Sequence, residues 1–295
     1  MQPITTPKRI LVTGKNGQLG QSLQKIATDY PQINFVFTGR DQLDLGAPHS
    51  IDAFFKKHTE PFAAFINAAA YTAVDTAESE PDVAEQVNHL AVAQLAGIAK
   101  QQQAFLLHVS TDYVFDGKSY RPYVETDLTA PQNQYGLSKL KGEHAMQASG
   151  CTGVIVRTSW VYSEFGSNFV KTMLRLGKER DSLNVIFDQI GSPTYATDLA
   201  HALCVLLASK QAYGVNIYHY ANEGVCSWYD FAKAIFTLEG IDCAVIPIES
   251  KDYPTPASRP HYSLLNKSKI KQQTGQQIPH WHDALQRCLK EFKSN

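Results

Sequence analysis

Tyr135 and Lys139 stand four residues apart in the run Tyr135-Gly136-Leu137-Ser138-Lys139. On a helix that spacing is about one turn, so the two side chains share a face. A phenol by itself titrates at about 10, too high to work efficiently at neutral pH. A neighbouring ammonium favours the phenolate and lowers that value. The pair therefore suits proton donation to a carbonyl oxygen that is receiving a hydride. An exposed tyrosine and a solvated lysine at this spacing would read the same way, so the pair needs company. Ser110-Thr111-Asp112-Tyr113 supplies it, directly after a strand-like run at 104–109. Polar side chains at the C-terminal end of a parallel strand face the ligand crevice. A hydroxyl there can hydrogen-bond a substrate carbonyl and orient it.

Upstream, Gly14-Lys15-Asn16-Gly17-Gln18-Leu19-Gly20 spaces its glycines G-x-x-G-x-x-G between a strand-like run and a helical one. Glycine permits the left-handed backbone and the close approach that a pyrophosphate needs. The helix N-terminus offers that anion free N–H groups and a positive dipole end. Strand, turn and helix in that order read as a dinucleotide site, with Gly14, Asn16, Gly17, Gln18 and Leu19 as candidate contacts; the glycine spacing alone would also fit an ordinary turn. Gly20 is followed by Gln21, so the Gly-Lys-[Ser/Thr] ending of a triphosphatase loop is absent and kinase or ATPase chemistry is set aside. NAD-preferring proteins place an acid about 20 residues on, to hold the ribose hydroxyls. Here that stretch reads Thr38-Gly39-Arg40. An arginine there can meet a 2′-phosphate, which points to NADPH. Asp41 next door leaves NADH open, as does the plain alternative of a solvated arginine.

These groups need a scaffold, and the hydrophobic pattern describes one. Strand-like runs fall at 9–13, 33–37, 63–67, 104–109 and 154–157, and helical spacing at 18–29, 51–57, 84–102 and 131–148. Strands alternating with helices predict right-handed βαβ units, hence an α/β fold with a Rossmann-type, doubly wound parallel sheet. After residue 158 the regularity weakens: helices are expected at 165–176, 196–207, 228–238 and 281–293, strands at 183–187 and 215–220, and an extended loop at 253–260, which carries three prolines. The division expected is a dinucleotide-binding part, 1–158 with about 190–220, and a smaller C-terminal substrate-binding lobe, about 159–189 with 221–295. In that lobe the turn Asp188-Gln189-Ile190-Gly191-Ser192-Pro193-Thr194 holds a nucleoside diphosphate or merely connects two elements. Arg259 grips a phosphate bidentately or sits on the surface. Trp160 follows a strand at the crevice, whereas Trp228, after the N-cap candidate Ser227, reads as core or staple.

The 295 residues suffice for a sizeable core, and a formal charge of −1 gathers neither nucleic acid nor anionic membrane. Five cysteines without a C-x-x-C read as reduced, mostly buried thiols of a cytoplasmic protein. The polar start MQPITTPK and the short apolar run behind it do not make a signal peptide. No stretch approaches the roughly 18 apolar residues of a membrane span. The histidines are scattered, without H-E-x-x-H or clustered Cys/His spacing, so no metal site is expected.

The runs GKNGQLG at 14–20 and YGLSK at 135–139 resemble the extended short-chain dehydrogenase/reductase superfamily. NAAAYTAVDTAE at 67–78, VSTDYVFDG at 109–117, TSWVYS at 158–163, NFVKTML at 168–174, DQIGSPT at 188–194, SWYDFA at 227–232 and YPTPASRP at 253–260 are similar, more narrowly, to its dTDP-4-dehydrorhamnose reductase family. The resemblance runs along nearly the whole chain. It implies NADPH-dependent reduction of a dTDP-sugar C4 ketone, with Tyr135 as acid. Lys139 would bind the nicotinamide ribose and lower the tyrosine pKa, and Thr111 would hydrogen-bond the reacting oxygen. It also implies Asp44 and Leu45 near adenine, Ala68, Ala69 and Thr72 along the cofactor cleft, and Val74, Asp112, Tyr113 and Trp160 beside the sugar nucleotide. Some members bind magnesium at a dimer interface through a glutamate just after the glycine motif. Gly20-Gln21-Ser22 has no acid there, so magnesium is not expected, while a homodimer remains among the assemblies the family allows. Two rival classes share the superfamily's motifs: epimerases or dehydratases that retain NAD, and non-catalytic dinucleotide-binding regulatory subunits. The Arg40 reading predicts a higher kcat/KM with NADPH than with NADH, a gap that Arg40→Ala narrows; a strong NADH preference untouched by that change would overturn it.

Overall fold

The computed structural model describes residues 8–209 and 213–294. The polar start at 1–7, and 210–212 within the expected boundary near 220, lie outside the described residues. Strands β1 (Lys8–Thr13), β2 (Ile33–Thr38), β3 (Ala64–Asn67), β4 (Phe105–Thr111) and β5 (Gly153–Thr158) alternate with helices α1 (Gln18–Ile26), α2 (Pro48–Lys57), α3 (Pro81–Glu85), α4 (Ala91–Gln102) and α5 (Gln134–Ala148). There follow β6 (Val161–Tyr162), α6 (Phe169–Glu179), β7 (Ser182–Ile186), β8 (Ile190–Gly191), β9 (Thr194–Tyr195), α7 (Ala196–Ala208), β10 (Val215–His219), β11 (Cys226–Ser227), α8 (Trp228–Glu239), β12 (Ala244–Ile248), α9 (Ser268–Thr274) and α10 (Trp281–Ser294).

The main sheet has six strands in the order β10-β5-β4-β3-β1-β2, all paired in parallel. Ile10, Leu11 and Val12 are all buried because both faces are covered. Leu19, Leu23, Leu199 and Leu203 of α1 and α7 form the core on one face. Ile51, Phe54, Leu95 and Met146 of α2, α4 and α5 belong to the core on the other. A separate core collects Val170 and Met173 from α6, Phe231 and Ile235 from α8, and Leu285 and Leu289 from α10. All five cysteines are free and buried. Among the described residues no helix is long and apolar enough to cross a membrane.

The departures from the sequence pattern have local causes. The helix expected to run unbroken over 84–102 is interrupted by a π-helical turn, Gln86–Leu90. Tertiary bonds hold that turn: Asn88 accepts from the Tyr71 N–H at 2.9 Å and donates to the Tyr71 carbonyl and the Ser138 hydroxyl, each at 3.0 Å. The Asn88 carbonyl lies against Gly142 of α5, where any Cβ would collide with it. Helix α5 starts three residues later than expected because Asn133 caps it, accepting from Gly136 N–H at 2.8 Å. Asn168 does the same for α6, accepting from Lys171 N–H at 3.1 Å. Strand β12 was hidden by Pro247, and α9 by having only Ile270 buried.

Arg157 of β5 and Glu143 of α5 form a buried bidentate pair, with Nη2–Oε2 at 2.6 Å and Nε–Oε1 at 3.0 Å. Breaking such a pair strands a charge in the interior. Glu143→Ala should therefore lower the unfolding free energy by about 3–5 kcal/mol in urea titrations.

Candidate active site

The C-terminal ends of β1, β3, β4 and β5 open into one cavity of about 920 Å³. At one end lies the glycine turn. Gly14 has φ +76°, and a Cβ there would stand 2.9 Å from the backbone of Ala69. Helix α1 begins without a side-chain cap and with no acid in its first turn. Gln18 lines the cavity, but its side chain turns away: Ser163 Oγ and Asn168 Nδ2 both donate to Oε1 at 3.0 Å, and Nε2 donates to the Val161 carbonyl. Lys15 donates to Gln42 Oε1 at 2.7 Å and lies 3.5 Å from Asp41. Asp41 is thereby drawn toward Lys15, while Arg40, 86% exposed, stays on the cavity wall 4.0 Å from Asp44.

At the other end, Tyr135 and Lys139 of α5 face Thr111, the last residue of β4. Thr111 Oγ1 donates to Asp112 Oδ1 at 3.0 Å and accepts from the Tyr113 N–H at 3.2 Å. The Tyr113 and Tyr135 rings meet edge to face at 5.5 Å. Lys139 is fully enclosed and donates from Nζ to the Val109 carbonyl at 2.7 Å. The electrostatics correct one expectation. Tyr135 is not depressed: burial pushes its pKa up to about 12, against the Thr111 hydrogen bond and with the Asp112 charge. Lys139 is itself lowered to about 8 by burial, with the Glu143 charge opposing. Desolvation disfavours both charged forms and is the largest cause in each.

Gly14, Asn16, Gly17, Gln18, Leu19, Arg40, Asp44, Leu45, Ala68, Ala69 and Thr72 all line this cavity, and so do Val74, Thr111, Asp112, Tyr113, Tyr135, Lys139 and Trp160. Arg259 does not. It grips Asp75 bidentately, at 2.9 and 2.7 Å, and so ties the proline-rich loop to the segment that carries Val74. In the turn at 188–194, Asp188 accepts from the Ser250 hydroxyl at 2.6 Å, Ile190 and Gly191 pair with β11, and Thr194 pairs with β6. Trp160 has φ +49° and stacks on Trp228 at 3.6 Å. Trp228 starts α8 behind a capping box of Ser227 and Asp230 and packs against the core that α6, α8 and α10 share. Sequence reasoning missed Asn88, Asn67, His108 and Thr13. Each sits buried inside an ordinary-looking helix or strand, next in sequence to a residue that lines the cavity. Among the described residues no group of three or more His, Cys, Asp or Glu could hold a metal ion.

The chain matches the RmlD substrate binding domain family over residues 8–294. It is 44% identical to the dTDP-4-dehydrorhamnose reductase of Aggregatibacter actinomycetemcomitans, over 94% of this chain and 97% of that one. The crystal structure of a Clostridium acetobutylicum dTDP-4-dehydrorhamnose reductase superposes with a TM-score of 0.91 at 38% identity, covering 97% and 99% of the two chains. That of the Bacillus anthracis dTDP-4-dehydrorhamnose reductase, in complex with NADP, gives 0.90 at 37% identity, covering 96% and 99%.

Asp112 makes this protein's stability sensitive to pH. Its carboxyl is 3% exposed, Oδ2 has no partner, and burial raises its pKa to about 7 despite the Thr111 hydrogen bond. A carboxyl raised on folding stabilises the fold below its unfolded pKa of about 4 and loses that contribution as pH rises toward its folded value. Asp112→Asn should accordingly be more stable than wild type at pH 8, and the advantage should vanish by about pH 4, as measured by urea unfolding at the two pH values.

Proposed function

We infer that this chain, which belongs to the RmlD substrate binding domain family, is an NADPH-dependent reductase. It reduces the C4 ketone of dTDP-4-dehydro-β-L-rhamnose to dTDP-L-rhamnose, the last step of dTDP-rhamnose biosynthesis. The observation that carries the reading is the single cavity that has the glycine turn at one end and Thr111, Tyr135 and Lys139 at the other. The names of its relatives, and the NADP bound to one of them, support it.

The residues present suit the dinucleotide. The Gly14 cradle, which a Cβ would fill, and the acid-free start of α1 suit a pyrophosphate met by the backbone of residues 14–19. Arg40, on the wall, suits a 2′-phosphate. Asp44 and Leu45 would approach the adenine, Ala68, Ala69 and Thr72 the cofactor cleft, and Lys139 the nicotinamide ribose. When bound, NADPH supplies the hydride to C4. Thr111 holds the C4 oxygen, and Val74, Asp112, Tyr113 and Trp160 pack around the sugar nucleotide.

Tyr135 then breaks its Oη–H bond as the O4–H bond forms. A phenol held at about 12 is fully protonated at neutral pH, which makes it a ready donor rather than a base. The Lys139 ammonium beside it favours the tyrosinate left behind. In this reading residues 8–158 with about 190–220 bind the cofactor, about 159–189 with 221–294 bind the sugar nucleotide, and the enzyme works in the cytoplasm on a free dTDP-sugar.

Purified protein should consume NADPH with dTDP-4-dehydro-β-L-rhamnose. Tyr135→Phe should cut kcat by about 10²–10⁴ with KM little changed. No turnover by wild type, or full turnover by Tyr135→Phe, would overturn the reading. Stoichiometric NAD retained through purification would favour an epimerase or dehydratase instead.

A further inference from the structure

His108 is fully buried one residue before Val109, and the mechanism above leaves it unused. Its Nε2 stands 3.4 Å from Lys139 Nζ, and its Nδ1 stands 3.0 Å from Asn67 Nδ2. The Thr13 hydroxyl donates to Asn67 Oδ1 at 2.7 Å and accepts from the Ala69 N–H at 3.3 Å. The chain Lys139–His108–Asn67–Thr13 thus runs across the neighbouring strands β4, β3 and β1. It passes beneath the cavity from the proton-donating helix to the glycine turn, and all four side chains are buried.

The chemistry of the groups fixes the direction of its hydrogen bonds. An ammonium has no lone pair and can only donate. Nε2 must then offer Nζ its lone pair, and the ring proton sits on Nδ1. That proton needs an acceptor, and the Asn67 amide provides one once its oxygen and nitrogen exchange places, with Oδ1 on the ring and Nδ2 on Thr13 Oγ1, the reverse of the placement above. The opposite arrangement would aim an Nε2–H at a cation in a low-dielectric interior. Hydrogen bonds to ionised groups are roughly twice as strong as neutral ones, so the lysine decides the orientation.

We propose that His108 is a positioning residue for Lys139. Asn67 and Thr13 hold it as the Nδ1–H tautomer, and its Nε2 lone pair keeps the lysine in place and in its ammonium form. The ring is suited to this because burial, and then the lysine charge, push its pKa well below the usual histidine value, so it stays neutral. The support matters because burial alone draws Lys139 down to about 8. The other titratable groups around that lysine are Tyr135 and Glu143 on its own helix, Glu143 being paired with Arg157 of β5, and Asp112 just past the end of β4.

The inference rests on the reductase reading, in which the Lys139 ammonium is the active form. Its test is the pH profile of kcat/KM for wild type, His108→Phe and His108→Gln, with melting temperatures recorded alongside. Phenylalanine removes the acceptor, so the basic limb should move down by about one pH unit. That is about a tenfold loss above the limb, with a much smaller one at pH 6. Glutamine, whose carbonyl can accept from Nζ, should restore most of the shift. A folded His108→Phe protein with an unmoved basic limb would overturn the proposal.

A second measurement needs neither variant nor turnover. Nitrogen-15 shifts of the His108 ring in wild type, assigned through its own Cβ, should show a protonated Nδ1 and a bare Nε2 at pH 7. A proton on Nε2 would overturn the proposal even if the reductase reading stands. Lack of wild-type turnover, with the expected tautomer present, would count against that reading alone.

Discussion

The docking of helix α5 against the end of the sheet is the constraint on which the site depends. Gly142 lets the helix press against the Asn88 carbonyl. One residue on, Glu143 is pinned by Arg157 with Nη2–Oε2 at 2.6 Å. One turn back, Lys139 is fastened to the Val109 carbonyl at 2.7 Å. Three attachments along one helical stripe leave it little freedom to slide or roll. Tyr135 at its start is therefore delivered to Thr111 by contacts that are themselves not chemical. The π-helical turn is part of the same device, because it places the Asn88 carbonyl and side chain where α5 and the Tyr71 segment can both use them.

Burial acts on every ionisable group at this end of the cavity in the same sense. It raises Tyr135 and Asp112 and lowers Lys139 and His108, so each is pushed toward its neutral form. A carbonyl that takes up a hydride develops negative charge on oxygen. Surroundings poor in competing charge make that oxygen respond strongly to the donor nearest it. In the proposed reaction the site would gain its acid by keeping a proton on a phenol, rather than by making the phenol easy to ionise.

Much of this was legible in the chain. The alternation of strand and helix through residue 158 is periodic enough to give the parallel sheet. The glycine turn, Thr111 and the Tyr135/Lys139 pair all stand where strands end and helices begin. What stayed hidden depended on distance in sequence. Arg259 read as either a phosphate ligand or a surface residue because nothing nearby in the chain shows that Asp75 pairs with it. The sign of the Tyr135 shift was out of reach for the same reason: spacing shows the lysine next door, but not the degree of enclosure that decides the shift. Strand β12 and helix α9 are weakly patterned, since each buries little and takes its form from neighbours.

The glycine turn also has a fixed backward-facing partner. The Gln18 amide is occupied by Val161, Ser163 and Asn168, residues of the later half of the chain. What it offers the cavity is therefore backbone. Within a single seven-residue signature two unrelated demands are written together. Gly14 answers to the close approach of the Ala69 backbone, and the glutamine answers to residues of the later half of the chain. A change at that position would be felt first on the loop that leads back to Trp160, and only afterwards in the glycine turn.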